Sequence, residues 1–150
     1  MANIDNTALF KISYGLYALP TNDSARDNAM ILNTAVQLTD NPLQLAICIN
    51  NNNYSCETVR KTGKMNLNCL DTRATFDLFK KFGFVSGRDT DKLAGESFTR
   101  SENGLAVINE YSNAFISLTV ESYLNLGTHT LFICRVSEAQ NLGGEASMTY

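Results

Sequence analysis

The run Ala114-Phe115-Ile116-Ser117-Leu118-Thr119-Val120-Glu121-Ser122-Tyr123-Leu124, then Asn125-Leu126-Gly127-Thr128, then His129-Thr130-Leu131-Phe132-Ile133-Cys134-Arg135-Val136, decides the fold class. Both flanks are rich in Ile, Val, Thr, Phe and Leu, residues that suit a pleated, half-buried surface. The four residues between them have the composition of a tight turn, so 114–124 and 130–136 read as a β-hairpin. Residues 104–108 add another short strand just upstream. The C-terminal third is therefore strongly β.

Working outward, 15–21 reads as a strand that ends in the polar loop 22–27. Residues 29–36 are apolar and partly β-branched and read as a second strand. Asp40-Asn41-Pro42 punctuates the chain, and 43–49 follows as a largely buried third strand. Residues 65–70 alternate apolar and amide side chains at strand period. Helical signals are fewer: a short turn over 8–13, and a helix over 54–62. There Ser55 suits the N-cap, Thr58, Val59 and Thr62 keep helical spacing, and Gly63 ends the run. Phe76, Leu78, Phe79 and Phe82 predict a short amphipathic helix over 75–82. The stretch 83–103 is polar and Gly-rich, a long surface excursion of the kind that often carries function. Six or seven strands and two short helices describe a mostly β protein, a closed or partly closed β-barrel with short helices. Nothing divides the chain, so 1–150 reads as a single domain.

Twelve basic and fifteen acidic residues in 150 leave a formal charge of −3, with no Lys/Arg-rich stripe, which argues against nucleic-acid binding. Charged residues are 18% of the chain, below the roughly 25% of an average domain, and uncharged amides and hydroxyls take their place. Such a chain hydrogen-bonds its partner more than it attracts it. No apolar run reaches the roughly 18 residues of a membrane span. The first residues lack the basic and apolar regions of a signal peptide, so a cytoplasmic location is expected. Cys48, Cys56, Cys69 and Cys134 are far apart and form no C-x-x-C pair, so buried free thiols are expected. A lone His129 cannot build a multi-His metal site, and no metal is expected. Phosphate-loop, dinucleotide-binding and serine-hydrolase motifs are absent.

Four segments are candidate sites. Asn33, Thr34, Gln37 and Thr39 interrupt an apolar strand: they either satisfy neighbouring backbone at a bulge or present donors and acceptors to a planar heterocycle. Asn50 to Ser55 runs into a helix start, where backbone N–H groups with Asn53 and Ser55 either simply cap the helix or cradle a phosphate. Arg88 and Lys92 in the long loop either clamp an anion or pair with Asp89 and Asp91. His129 enters an apolar strand, either as a satisfied core histidine or with a ring nitrogen aimed at a ligand.

In this order, Asn33-Thr34-x-x-Gln37-x-Thr39-x-x-Pro42, residues 50–55, Ser86-Gly87-Arg88-Asp89-x-Asp91-Lys92 and Gly127-Thr128-His129-Thr130-Leu131-Phe132 resemble the flavin reductase-like FMN-binding split-barrel family. The similarity is to its flavoredoxin and NADH:FMN oxidoreductase branch, which includes rubredoxin-linked relatives, and residues 10–17 and 147–150 fit that branch too. The resemblance implies a Greek-key split barrel and a homodimer with non-covalent FMN near the interface. It implies an oxidoreductase in which hydride passes from NAD(P)H to FMN, and electrons go on to flavin or a rubredoxin-like redox partner. The alternative is an FMN-binding electron-carrier module with little NAD(P)H activity of its own. By the same resemblance, Asn28, Asn33 and Thr34 line the flavin ring, and Gln37 lies by the ribityl chain or ring edge. Asn50, Asn53 and Ser55 hold the phosphate, Lys92 with Arg88 approaches from the long loop, and His129 is catalytic, beside the ring or the nicotinamide. Three features depart from the pattern. Asn51 stands where relatives often carry Lys, Cys56 where this branch often has His, and the sequence stops at Tyr150 where relatives often continue. Rubredoxin-type Cys pairs are missing as well.

Overall fold

The computed structural model describes residues 2–24, 26–75, 77–78 and 98–149. Seven antiparallel strands make the main sheet: β1 (Tyr17–Asn22), β2 (Asp27–Leu32), β3 (Ala35–Asp40), β4 (Leu43–Asn50), β5 (Lys64–Leu70), β8 (Ser112–Asn125) and β9 (His129–Asn141). A separate two-stranded sheet pairs β6 (Phe98–Arg100) with β7 (Ala106–Ile108). The main sheet runs β2-β1-β5-β8-β9-β4-β3. Its two edge strands, β2 and β3, are joined by Asn33 and Thr34 alone. Three Cα steps span at most about 11 Å, barely two strand spacings, so the sheet must roll until its edges meet. That connection makes the sheet a barrel.

The β8–β9 hairpin is as expected in kind but longer. Its turn needs Gly127 at φ 103°, a conformation open to glycine, and register shifts near Ser117 and Val120 bend the long strands around the barrel. The expected strand over 29–36 is instead two strands, because the barrel corner at Asn33–Thr34 interrupts it. A short 3-10 helix occupies Asn6–Lys11. Helix α1 covers Tyr54–Thr62 and ends at Gly63 with φ 74°, whose N–H bonds Val59 O at 2.8 Å. Its N-cap is Asn53, not Ser55: Asn53 Oδ1 accepts from Ser55 N at 2.9 Å. Of the helix expected over 75–82, Asp77 and Leu78 are helical, while Phe76 and residues 79–82 lie outside the described residues.

Leu19, Ile47, Met65, Leu67, Leu118 and Phe132, each at most 1% exposed, fill the barrel, and α1 closes it with Cys56 and Val59. A second cluster, with Ala29, Leu70, Ala106 and Ile108, seals β7 against the outside of β1, β2 and β5. The amides of β5 fasten that layer. Asn66 Nδ2 donates to Ala106 O and to Ser101 Oγ, both at 2.9 Å, and Asn68 Nδ2 donates to Ile108 O at 2.9 Å. The alternation over 65–70 is real, and both of its faces are buried.

Candidate functional site

Strand β4 alternates cleanly at its far end. Leu45, Ile47 and Ile49 point into the core, which leaves Ala46, Cys48 and Asn50 on the outer face. The register sets Ala46 against Ile133, Cys48 against Leu131 and Asn50 against His129. Thr34 O accepts from Cys48 N at 3.1 Å, so the Asn33–Thr34 corner adjoins the same end of β4. The fold thus gathers Asn33, Thr34, the 50–53 turn and His129 along one rim. Asn33 and His129 are half-buried, and Thr34 and Asn50 are exposed. Thr34 Oγ1 donates to Asn33 Oδ1 at 2.9 Å, and Thr128 Oγ1 lies 2.8 Å from His129 Nδ1. Gln37 is exposed on β3, and its Nε2 donates to Thr39 O at 3.2 Å across a bulge.

The 50–53 turn is organised by its own amides. Asn50 Oδ1 accepts from Asn52 N at 2.9 Å, as Asn53 Oδ1 does from Ser55 N. Among the described residues nothing accepts from the Nδ2 groups of Asn50, Asn52 or Asn53, which leaves three open amide donors in the turn. Asn51 turns the other way. Its Nδ2 donates to Asn125 Oδ1 at 3.1 Å and Gly127 O at 2.9 Å, tying the turn to the β8–β9 hairpin. Its Oδ1 accepts from Thr130 Oγ1 at 2.5 Å and Arg60 Nη1 at 3.3 Å. Arg60 Nη1 also reaches Thr130 Oγ1 at 3.1 Å and Cys56 Sγ at 3.4 Å. The two side chains that depart from the family pattern, Asn51 and Cys56, meet at this guanidinium, which the sequence did not single out.

Two expected contacts lie elsewhere. Asn28 and Ser55 are buried inside the barrel, where Asn28 Nδ2 donates to Ser55 Oγ at 3.2 Å. Asn28 faces Thr21 across β1–β2, and Asn28 Oδ1 and Thr21 Oγ1 are buried with no bonded partner among the described residues. The polar strand residue Asn28 therefore braces α1 from within and is separated from Asn33 by the length of β2. Arg88 and Lys92 lie outside the described residues.

The four cysteines are free thiols. Burial raises those of Cys48 and Cys69, and burial with the Glu121 carboxylate pushes Cys134 up to about 12, so these three are neutral near pH 7. No group of three or more potential metal ligands occurs among the described residues. Beside the rim lies an apolar outer face. Val36 and Leu38 on β3 are 58% and 46% exposed, and Leu124 and Leu126 at the hairpin tip are 60% and 55% exposed. No described helix is long and apolar enough to cross a membrane.

A family model described as the flavin reductase like domain matches residues 9–150. The chain belongs to that family. It is 30% identical over 147 residues to a ferric-chelate reductase (NAD(P)H) of Archaeoglobus fulgidus, covering 98% of this chain and 87% of the relative. It is 32% identical to the high molecular weight rubredoxin of Moorella thermoacetica over 98% of this chain, but spans only 64% of that relative. Among solved structures, a flavoredoxin from Methanosarcina acetivorans superposes with a TM-score of 0.82, at 20% identity, over 93% of this chain and 74% of its own. The mostly β split barrel of the flavin reductase-like family is thus the fold of this chain, as the sequence resemblance implied.

Proposed function

We propose that this chain is an FMN-binding oxidoreductase that uses NAD(P)H as transient donor. The observation that carries the reading is the convergence, on one rim, of the Asn33–Thr34 corner, the donor-rich 50–53 turn and His129. The residues fit the group. Unbonded Nδ2 donors on Asn50, Asn52 and Asn53 suit a phosphate, and the paired hydroxyl and amide of Thr34 and Asn33 suit a polar ring edge. When bound, FMN supplies the hydride and electron chemistry. The chain's own part is to bind and orient. Asn50 and Asn53 hold the phosphate end, Asn33 and Thr34 bond the ring edge, and Gln37 flanks them. His129, across from Asn50, positions the donor or the ring. Asn28 and Ser55 support the turn from inside the barrel. Arg88 and Lys92 keep the role the resemblance gives them, without support from the described residues.

The exposed Val36, Leu38, Leu124 and Leu126 face beside this rim supports a homodimer with the ligand near the interface. The reading also takes 1–150 as a single cytoplasmic domain that binds neither nucleic acid nor membrane. A second reading, an electron-carrier module for a rubredoxin-like partner, is favoured by the 32% identity to the high molecular weight rubredoxin, of which this chain spans 64%. Anaerobic mixing of FMN-loaded protein with NADH separates the two. Bleaching of the flavin supports the reductase, and an unbleached but fully loaded protein supports the carrier.

A further inference from the structure

We infer that Arg60 is the positioning residue that supplies the positive charge for the phosphate end of the ligand. The inference rests on reading the 50–53 turn as the phosphate cradle. Three arginines elsewhere are matched by carboxylates: Arg73 with Asp71 at 2.7 Å, Arg100 with Asp27 at 2.8 Å and Arg135 with Glu121 at 2.8 Å. Arg60 differs. Its hydrogen bonds go to the neutral Asn51 Oδ1, Thr130 Oγ1 and Cys56 Sγ, and no carboxylate among the described residues pairs with it. Neutral acceptors engage its Nη1 but leave its charge uncompensated, and holding such a charge half-buried is unfavourable unless an anion comes near.

The helix places that charge. Side chains on an α-helix lean toward its N-terminus, so Arg60, in the last turn of α1, reaches back past Cys56 to Asn51. Asn51 lies between Asn50 and Asn52, whose Nδ2 groups are open donors. The guanidinium is therefore bonded to the middle of a turn whose neighbouring amides on either side are open donors. Through Asn51 the same contact fixes the hairpin tip that leads into His129. A chain of net charge −3 has no favourable overall field for a dianion, so a local cation adds attraction that the neutral amides do not supply.

The test compares FMN with riboflavin, which has the same ring and no phosphate. Affinities are read from quenching of flavin fluorescence for the wild type, Arg60→Gln, Arg60→Met and Arg60→Lys, at low and high salt. Arg60→Gln keeps polar reach and Arg60→Met keeps length, so the two charge-free variants share no single packing defect. Loss of one charge at this range should weaken FMN about tenfold in both, change riboflavin less than about twofold, and flatten the salt dependence of FMN binding. Arg60→Lys should stay near wild type. Equal losses for both flavins, or an FMN affinity that does not follow charge across the three variants, would overturn the assignment. A wild type that binds neither flavin overturns the reading of the rim, and this inference with it. Riboflavin bound as tightly as FMN by the wild type overturns the phosphate cradle, and this inference with it, but leaves the rim as a flavin site.

Discussion

Asn51→Ala is the perturbation that tests how the rim is held together. The substitution removes two donated bonds to the hairpin tip, at 3.1 and 2.9 Å, two accepted ones, from Thr130 at 2.5 Å and Arg60 at 3.3 Å, and a weak third from Cys56 Sγ at 3.7 Å. A net contribution of about 0.5–1.5 kcal/mol per bond gives about 2–6 kcal/mol for the first four, and because two of them are exposed the sum falls in the lower half of that range, roughly 3 kcal/mol. For a chain of this size that corresponds to a fall in Tm of about 6–12 °C. Arg60 and Thr130 keep their 3.1 Å contact, so the loss does not strand the guanidinium. The main-chain bond from Asn51 N to Thr128 O also survives in the variant, so the hairpin loosens without detaching. The control is Asn52→Ala, one residue away, whose side chain makes no bond to the described protein and should change Tm by less than about 1 °C. Calorimetric melts of both variants decide the matter. Indistinguishable melting temperatures would refute the view that Asn51 joins the turn to the hairpin.

Asn66→Ala leaves Ala106 O and the Ser117 hydroxyl without their buried partner, so urea unfolding should show a loss of about 3–5 kcal/mol. The Arg100 guanidinium beside Asp27 holds that carboxyl below its ordinary value, so the pair stabilises the fold above the unfolded carboxylate range and loses its effect as pH falls through the depressed folded value. Melts of Arg100→Gln against wild type should therefore differ by a constant amount above about pH 5 and converge below about pH 4; a gap that widens in acid contradicts this. His129→Ala should slow reduction of bound flavin by NADH in stopped flow with little change in melting temperature; an unchanged rate would make His129 structural.

The hairpin over 114–136 was legible because alternation, β-branched residues and Gly127 at φ 103° all point to one local answer. The break at Asn33–Thr34 was not, since 29–36 reads locally as one extended strand and only closure of the sheet demands a corner there. Asn53 rather than Ser55 caps α1 because both residues suit a cap and only the turn bonds of the preceding asparagines set where the helix starts. The resemblance assigns Asn28, Asn50 and Asn53 alike to the ligand. That stands as a proposal for Asn50 and Asn53, but Asn28 braces α1, while Asn66 and Asn68, legible only as strand alternation, serve the packing of β7. Residue type and spacing do not separate these uses, because burial decides them. Arg60 carried no local signal, since its partner Thr130 is 70 residues away in sequence and meets it only when β9 pairs with β4.

The most direct test of the central claim is the visible spectrum of purified protein incubated with excess FMN and then desalted. The account predicts a yellow protein that retains about one flavin per chain, and that Asn50→Ala combined with Asn53→Ala loses. A protein that stays colourless and takes up no FMN would contradict it.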